Sequence, residues 1–207
     1  LTIHIRGSIY KVKKEKIKIM PYKIYNWGPI LFSIKIKKEE VSKLLKAYKK
    51  PKIPYVKELA NTVEEEYLFD KDVFSEVIKA YLQVFMTEAS RWYNKNLGKK
   101  ITITHCWITD MKENEFVPMH DHCADFSSVL YLKVNKSTPQ LEFKNKFGGP
   151  GAIIFKYGEK RALNIDRVII QPEVNDLLIF PSTLTHLVYP FRSKEKRICI
   201  STNYTIN

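Results

Sequence analysis

The chain has 207 residues, of which 44% are hydrophobic and 13% aromatic, with only seven glycines. This composition excludes a disordered or fibrous chain, and the length suits one domain with a sizeable core. The net charge is +13, but the lysines are spread along the whole sequence. We therefore interpret the charge as a solvated surface and keep nucleic-acid binding as an alternative.

The cysteines and the hydropathy pattern bear on location. Cys106, Cys123 and Cys199 are odd in number and have no CxxC spacing, which argues against a disulfide framework. No apolar run approaches the ~20 residues of a membrane span, and the basic segment 11–18 is not followed by an apolar stretch. We expect a protein of the reducing cytoplasm without membrane contact.

The first half of the chain predicts a strand and a helix after a basic arm. Residues 1–20 fit either a short strand or an irregular arm, and both remain open. Residues 30–36 have high β-propensity and predict a strand. An apolar stripe with helical spacing predicts a helix at 39–50, which Pro51 ends. Residues 51–70 lack periodicity and read as a connecting segment.

A second, longer helix is predicted at 72–96. Asp72 is suited to cap its start, and Asn96 with Gly98 to end it. The apolar stripe that predicts it consists of Phe74, Ile78, Tyr81, Phe85, Ala89 and Trp92. We interpret this stripe as core packing.

From residue 101 onward the pattern changes to short runs of period two. The predicted strands are 101–109, 116–122, 126–134, 139–143, 151–157, 165–171, 176–181, 184–189 and 196–205. Two helices followed by many short strands predict a mainly β fold of the double-stranded β-helix (jelly-roll, cupin-like) class, with the helices packed on one sheet. We expect a single domain over 1–207, in which 1–100 supply the arm, a strand and two supporting helices, and 101–207 form the β core.

Three of the five histidines, all in the β half of the chain, are candidate metal ligands: His120, His122 and His186. Residues i and i+2 of a strand project from the same face, roughly 6–7 Å apart, so His120 and His122 can converge on one metal ion. His186 is the third candidate ligand. Spacing alone is a weak signal, because histidines at i and i+2 also occur on surfaces and in cores.

Two sequence blocks strengthen the case by resemblance to a known family. The first is VPMHDH at 117–122 followed by FSSVLYLKV at 126–134, and the second is QPEVNDLLIFPS at 171–182 through HLVYP at 186–190. In this order they resemble the metal-binding strands of 2-oxoglutarate/Fe(II)-dependent oxygenases, particularly uncharacterised bacterial and phage members with an HxH pair. The resemblance covers residues 101–205.

The resemblance implies a cofactor set and roles for further residues. Fe(II), 2-oxoglutarate and O2 are the expected cofactors and co-substrates. Arg197, eleven residues after His186, corresponds to the arginine that binds the far carboxylate of 2-oxoglutarate in this family, and a guanidinium suits this role because it grips a carboxylate at two points. Tyr131 is expected either to bind the same carboxylate or to pack in the core.

One departure from the family pattern concerns the second ligand. Most members have a carboxylate where this chain has His122, so the third ligand could instead be Asp121 or Asp125, or the metal could be zinc. Asp121 projects to the opposite face of a regular strand, and Asp125 could reach the metal only if residues 122–126 turn back. Cys123 is a further, softer candidate.

These observations lead to one functional hypothesis and two alternatives. The hypothesis is a 2-oxoglutarate-dependent dioxygenase of the hydroxylase type, acting on a prolyl or other peptidyl side chain or on a small molecule. The first alternative is a cupin-like metal-binding protein without oxidative turnover. The second is a basic nucleic-acid-binding module. The sequence does not indicate an oligomeric state.

Overall fold

The computed structural model describes residues 2–5, 8–11, 28–48, 53–55, 62–98, 100–134 and 148–207. Most of the predicted basic arm and the predicted strand at 139–143 lie outside these ranges. Among the described residues, no helix is long and apolar enough to cross a membrane.

Two helices and twelve strands make up the described structure. The helices are α1 (Lys38–Tyr48) and α2 (Lys71–Trp92). The strands are β1 (Thr2–Ile5), β2 (Ser8–Lys11), β3 (Phe32–Lys35), β4 (Glu66–Leu68), β5 (Ile101–Met111), β6 (Val117–His120), β7 (Phe126–Lys133), β8 (Ile153–Lys156), β9 (Arg167–Ile170), β10 (Asp176–Pro181), β11 (His186–Val188) and β12 (Arg197–Ile206).

Strands β3 to β12 form two antiparallel sheets. The six-stranded sheet has the order β3-β10-β7-β12-β5-β4, and the four-stranded sheet has the order β6-β11-β8-β9. Between β5 and β12 the chain passes repeatedly from one sheet to the other, which is the topology of a jelly roll. Strands β1 and β2 pair with each other in a separate hairpin.

The period-two pattern arises because the six-stranded sheet is covered on both faces. On β12, Ile198 and Ile200 belong to the core shared with the helices, whereas Cys199 belongs to the core shared with the four-stranded sheet. Helix α2 contributes Phe74, Ile78 and other residues of its apolar stripe to the first core. The helices therefore support one face of the sheet, and the other face is left to line the space between the sheets.

The ends of α2 differ from the prediction. Asp70, not Asp72, is the N-cap: its side chain accepts hydrogen bonds from the backbone N–H groups of Asp72 and Val73. Asp70 has extended backbone angles, which let its carboxylate reach the free N–H groups of the first turn. The helix ends at Trp92 with Tyr93 as the C-cap, before the predicted Asn96.

The connecting segment predicted at 51–70 contains a strand. Strand β4 pairs with β5 at the edge of the six-stranded sheet, with Glu66 opposite Thr109 and Leu68 opposite Trp107. Only three residues pair, and the buried one is a glutamate, so neither length nor apolar alternation predicts this strand. The prediction of an unpaired connection was therefore wrong at 66–68.

Candidate metal centre

The three predicted histidine ligands lie together at the mouth of the sandwich. His120 ends β6 and pairs directly with His186, the first residue of β11, so both rings come from the four-stranded sheet. The ring centroids are 4.2 Å apart for His120 and His186, 4.8 Å for His120 and His122, and 5.2 Å for His122 and His186. One nitrogen from each ring lies within 4.8 Å of the others, a spacing at which three nitrogens can hold one metal ion.

Hydrogen bonds orient two of these rings. Nδ1 of His120 lies 2.8 Å from the Pro118 carbonyl oxygen, and Nδ1 of His186 lies 2.9 Å from the Leu184 carbonyl oxygen. A carbonyl oxygen only accepts, so Nδ1 must carry the proton and donate in both cases. The Nε2 lone pair of each ring is left available to a metal ion.

His122 is placed differently. It lies two residues beyond the end of β6, and its backbone N–H donates to the Ser182 carbonyl oxygen at 2.9 Å. Its ring contacts Trp107 of β5 edge to face, with centroids 5.7 Å apart. The regular-strand geometry assumed for the HxH pair therefore does not hold, although the ring still joins the other two.

Burial keeps all three imidazoles neutral. Removal from water lowers the pKa of His122 to about 4 and that of His186 to about 3, and it also lowers the pKa of His120. The neighbouring imidazoles add to the effect for His122 and His186, because one charged ring disfavours a second. Neutral imidazoles are the form that binds a metal ion, so the set is prepared for one near neutral pH.

Arg197 is a buried cation without an acidic partner. It begins β12 and is 2% exposed. Its Nη2 donates to the Tyr131 hydroxyl at 3.2 Å, its Nη1 lies near two sulfur atoms at 3.6 and 3.7 Å, and its Nε has no hydrogen-bond partner. Within the described part of the chain, no carboxylate forms an ion pair with this guanidinium. A ligand carboxylate would meet both needs, the charge and the unpaired donor.

Tyr131 lies beside this arginine on β7 and is fully buried. The Arg197 guanidinium carbon is 4.8 Å from the centre of the tyrosine ring. Burial raises the pKa of Tyr131 to about 12, so its hydroxyl remains protonated and can donate. Tyr131 packs in the core and accepts a hydrogen bond from Arg197, whereas its predicted contact with the co-substrate carboxylate stays a prediction.

The alternative ligands do not join the histidines. The chain does turn back at 123–125, but Asp125 accepts a hydrogen bond from the Ile206 backbone N–H at 2.7 Å, on the C-terminal strand. Asp121 and Cys123 are exposed, and neither belongs to the described cluster of possible ligands. Asp125 therefore fastens the loop that carries His122 to β12.

Three residues of the pocket wall were not predicted from the sequence. Glu66, Trp107 and Thr109 line the same pocket as the histidines and Arg197. They lie on β4 and β5, outside both motif blocks, and Thr109 donates its hydroxyl proton to Glu66 at 3.1 Å. The one available signal was the alternation along β5, which places Trp107 and Thr109 on the same face of the sheet.

The donor set fits a divalent first-row metal, and the cation fits an acidic ligand. Three neutral imidazoles are borderline ligands that suit iron, copper, nickel and zinc. The unpaired Nε of Arg197 and its missing counter-charge fit a molecule that carries a carboxylate. Both features open on one pocket, part of whose wall is apolar and includes Val129, Ile153 and Val188.

Comparisons with known proteins agree with this geometry. Residues 105–203 match the model of a family described as 2OG-Fe(II) oxygenase. A search of the curated proteins gives no match. The crystal structure of a Pseudomonas putida prolyl-4-hydroxylase is similar with a TM-score of 0.57 and 14% identity, covering 86% of this chain and 92% of that chain.

Two further solved structures have the same fold. The viral collagen prolyl hydroxylase of Paramecium bursaria Chlorella virus-1, solved as a 2OG complex, gives a TM-score of 0.54 at 16% identity over 84% of this chain and 94% of that chain. HygX from Streptomyces hygroscopicus, solved with iron bound, gives a TM-score of 0.52 at 10% identity over 86% of this chain and 82% of that chain. The predicted fold class, a mainly β jelly roll with flanking helices, is confirmed. Residues 105–203 thus resemble the 2OG-Fe(II) oxygenase family in sequence, and the chain shares its fold with these solved oxygenases.

Proposed function

We propose that this protein is an Fe(II)- and 2-oxoglutarate-dependent dioxygenase that hydroxylates a prolyl or other peptidyl side chain. The observation that carries the proposal is the pairing, in one pocket, of three neutral imidazoles with a buried arginine that lacks an acidic partner. His120, His122 and His186 would hold the metal. Arg197, with the Tyr131 hydroxyl beside it, would hold the far carboxylate of 2-oxoglutarate.

The chain's own residues position the reactants and exclude water. When bound, the iron and 2-oxoglutarate supply the oxidising chemistry, in which O2 and the co-substrate give succinate, CO2 and one oxygen atom for the substrate. The Arg197 fork fixes one end of the co-substrate, and the Tyr131 hydroxyl keeps the fork in place. Val129, Ile153 and Val188 make the wall apolar, which keeps water from competing with the substrate.

Anaerobic titration tests the cofactor assignment. Adding 2-oxoglutarate to the Fe(II)-loaded protein should produce the weak visible charge-transfer band of a chelated complex. The band should be lost in His186→Ala and should weaken strongly in Arg197→Ala, while Arg192→Ala serves as a matched control because Arg192 is exposed. Metal binding without any band in the wild type would contradict the proposal and favour the cupin-like alternative.

The proposed substrate class is supported by the fold alone and needs a separate test. Support comes from the similarity to two prolyl hydroxylases over more than nine-tenths of their chains, although fold likeness alone does not fix a substrate. Peptides with and without proline should be incubated with the loaded enzyme and examined by mass spectrometry for a gain of one oxygen atom. Co-substrate consumption that no peptide stimulates, but that a small molecule does, would move the proposal to that class.

We also propose that the protein works in the cytoplasm. Cys106 and Cys199 are free and buried on neighbouring strands, and Cys123 is free and exposed, a state that a reducing compartment maintains. Fractionation of the native host's cells should place the chain with cytoplasmic markers, and recovery with exported proteins would contradict this.

A further inference from the structure

The three histidines are not held in the same way. His120 and His186 each donate from Nδ1 to a carbonyl oxygen two residues back, an arrangement that fixes both the ring plane and the tautomer. The ring of His122 makes no hydrogen bond to any of the described residues. Something else must fix its orientation if it is to act as a ligand, because a freely rotating ring loses conformational entropy when it binds a metal.

Packing against Trp107 is what the structure offers in place of that bond. The indole lies 5.7 Å from the His122 ring, at an interplanar angle of 62°. The indole also stacks on the Tyr55 ring, with centroids 5.1 Å apart and an interplanar angle of 4°. Trp107 is 7% exposed and sits within β5, where the backbone pairs with β4 on one side and β12 on the other. The indole is therefore held in place and can restrict the orientation of the His122 ring that packs against it.

We propose that Trp107 is the positioning residue of His122: it orients this ligand by aromatic packing where the other two ligands are oriented by hydrogen bonds. The inference rests on the proposed function, because it assumes that His122 binds the metal. Packing fixes the plane of a ring and leaves the choice of tautomer free.

Metal affinity is the direct measurement, because it needs no substrate. Anaerobic calorimetry with Mn(II) should give a dissociation constant for the wild type and for Trp107→Leu, which keeps an apolar side chain but removes the ring. We expect Trp107→Leu to weaken Mn(II) binding by about 10-fold or more, the range seen when a group that orients a ligand is lost. Trp107→Phe retains an aromatic ring and should recover most of the affinity.

Phe155 provides a matched control beside another candidate ligand. Its ring lies 5.7 Å from the ring of His186, the same separation as between Trp107 and His122. His186, however, is held by its own hydrogen bond. Phe155→Leu should therefore change Mn(II) affinity much less than Trp107→Leu, even if both variants lose similar thermal stability. Equal losses of affinity in the two variants would overturn the proposal, because they would indicate a general effect of core damage.

A double variant separates positioning from structure. If Trp107 acts through His122, then adding Trp107→Leu to His122→Ala should cause no further loss of affinity, whereas additive losses would refute the proposal. Should Trp107→Leu fail to fold, Tyr55→Leu removes the support behind the indole and should weaken binding in the same direction. A wild type that binds no Mn(II) would refute the proposed function instead, so the two failures are distinguishable.

Discussion

Replacing Arg197 by methionine should abolish the stabilisation that 2-oxoglutarate gives to the folded protein, while leaving the ligand-free protein folded. In the ligand-free state the guanidinium is buried and forms no ion pair with a carboxylate of the described residues, at a desolvation cost on the order of several kcal/mol. Against this it keeps one hydrogen bond to Tyr131, which contributes about 1.5–3 kcal/mol. The desolvation cost and the gain from the hydrogen bond nearly cancel, so the Tm of Arg197→Met should lie within a few degrees of the wild-type Tm.

With ligand present the two proteins should diverge. Removing one partner of a buried charge pair costs about 2–5 kcal/mol of binding free energy. At a 2-oxoglutarate concentration near 100 times its Kd, the wild type gains about 2.7 kcal/mol, which for a chain of this size is a rise in Tm of roughly 5–11 °C. A variant that binds 100-fold more weakly gains only about 0.4 kcal/mol, and its Tm should rise by about 1 °C.

Thermal denaturation with Mn(II) and without O2 measures this shift without turnover. Arg192→Met is the control, because that arginine is exposed and should leave the full rise in Tm. Arg197→Lys should give an intermediate rise, since a lysine keeps the charge but lacks the two-point grip. If Arg197→Met retained the whole ligand-induced rise, the reasoning that assigns this buried cation to the co-substrate would be wrong.

Four further predictions concern stability, thiol reactivity and metal binding. Burial lowers the pKa of His186 from 6.5 to about 3, so below pH 6.5 the unfolded state binds more protons than the folded state. The metal-free protein should therefore lose stability as the pH falls from 6.5 towards 3. Denaturant unfolding at several pH values should show a smaller loss in His186→Gln. Thiol titration should modify only Cys123 in the native protein and all three cysteines after denaturation. Asp125→Ala should cost about 0.5–1.5 kcal/mol of stability, because the exposed hydrogen bond to the Ile206 N–H is lost, and Mn(II) binding should persist, because no candidate ligand is removed. His122→Asp should bind Mn(II) more tightly than His122→Ala, whose binding should be weakened.

The long strands of the β half were predictable because successive side chains along each strand alternate between the two faces of the sheet. Along β12, isoleucines face the helices and smaller residues face the sandwich interior, so alternation gives both the strand and its orientation. The proximity of His120 and His186 was also predictable, because each residue lies in one of the two ordered motif blocks. Their direct pairing across β6 and β11 supplies the reason why residues distant in sequence share one site.

The parts that were not predictable depend on contacts between elements. Strand β4 contributes three paired residues at a sheet edge, too few for a periodic signal. Asp70 and Asp72 are both good N-cap residues, and only the backbone angles decide between them. The contact between Trp107 and His122 joins β5 to a loop after β6, and no local pattern specifies which aromatic ring lies beside which ligand.

If His122 is a metal ligand, as proposed, the pocket explains better than the motif why a histidine stands where most of the family has a carboxylate. A divalent metal, a doubly charged co-substrate and the Arg197 guanidinium together leave one positive charge in excess when all three ligands are neutral. In most of the family the ligand carboxylate would balance it. Here the fold brings the carboxyl group of Glu66 from β4 into the same pocket, where it is buried and accepts a hydrogen bond from Thr109. Since a charge acts over several ångströms in a buried site, this carboxyl group, when ionised, can contribute to the balance without being a ligand, and the proposed ligand position is then open to an imidazole.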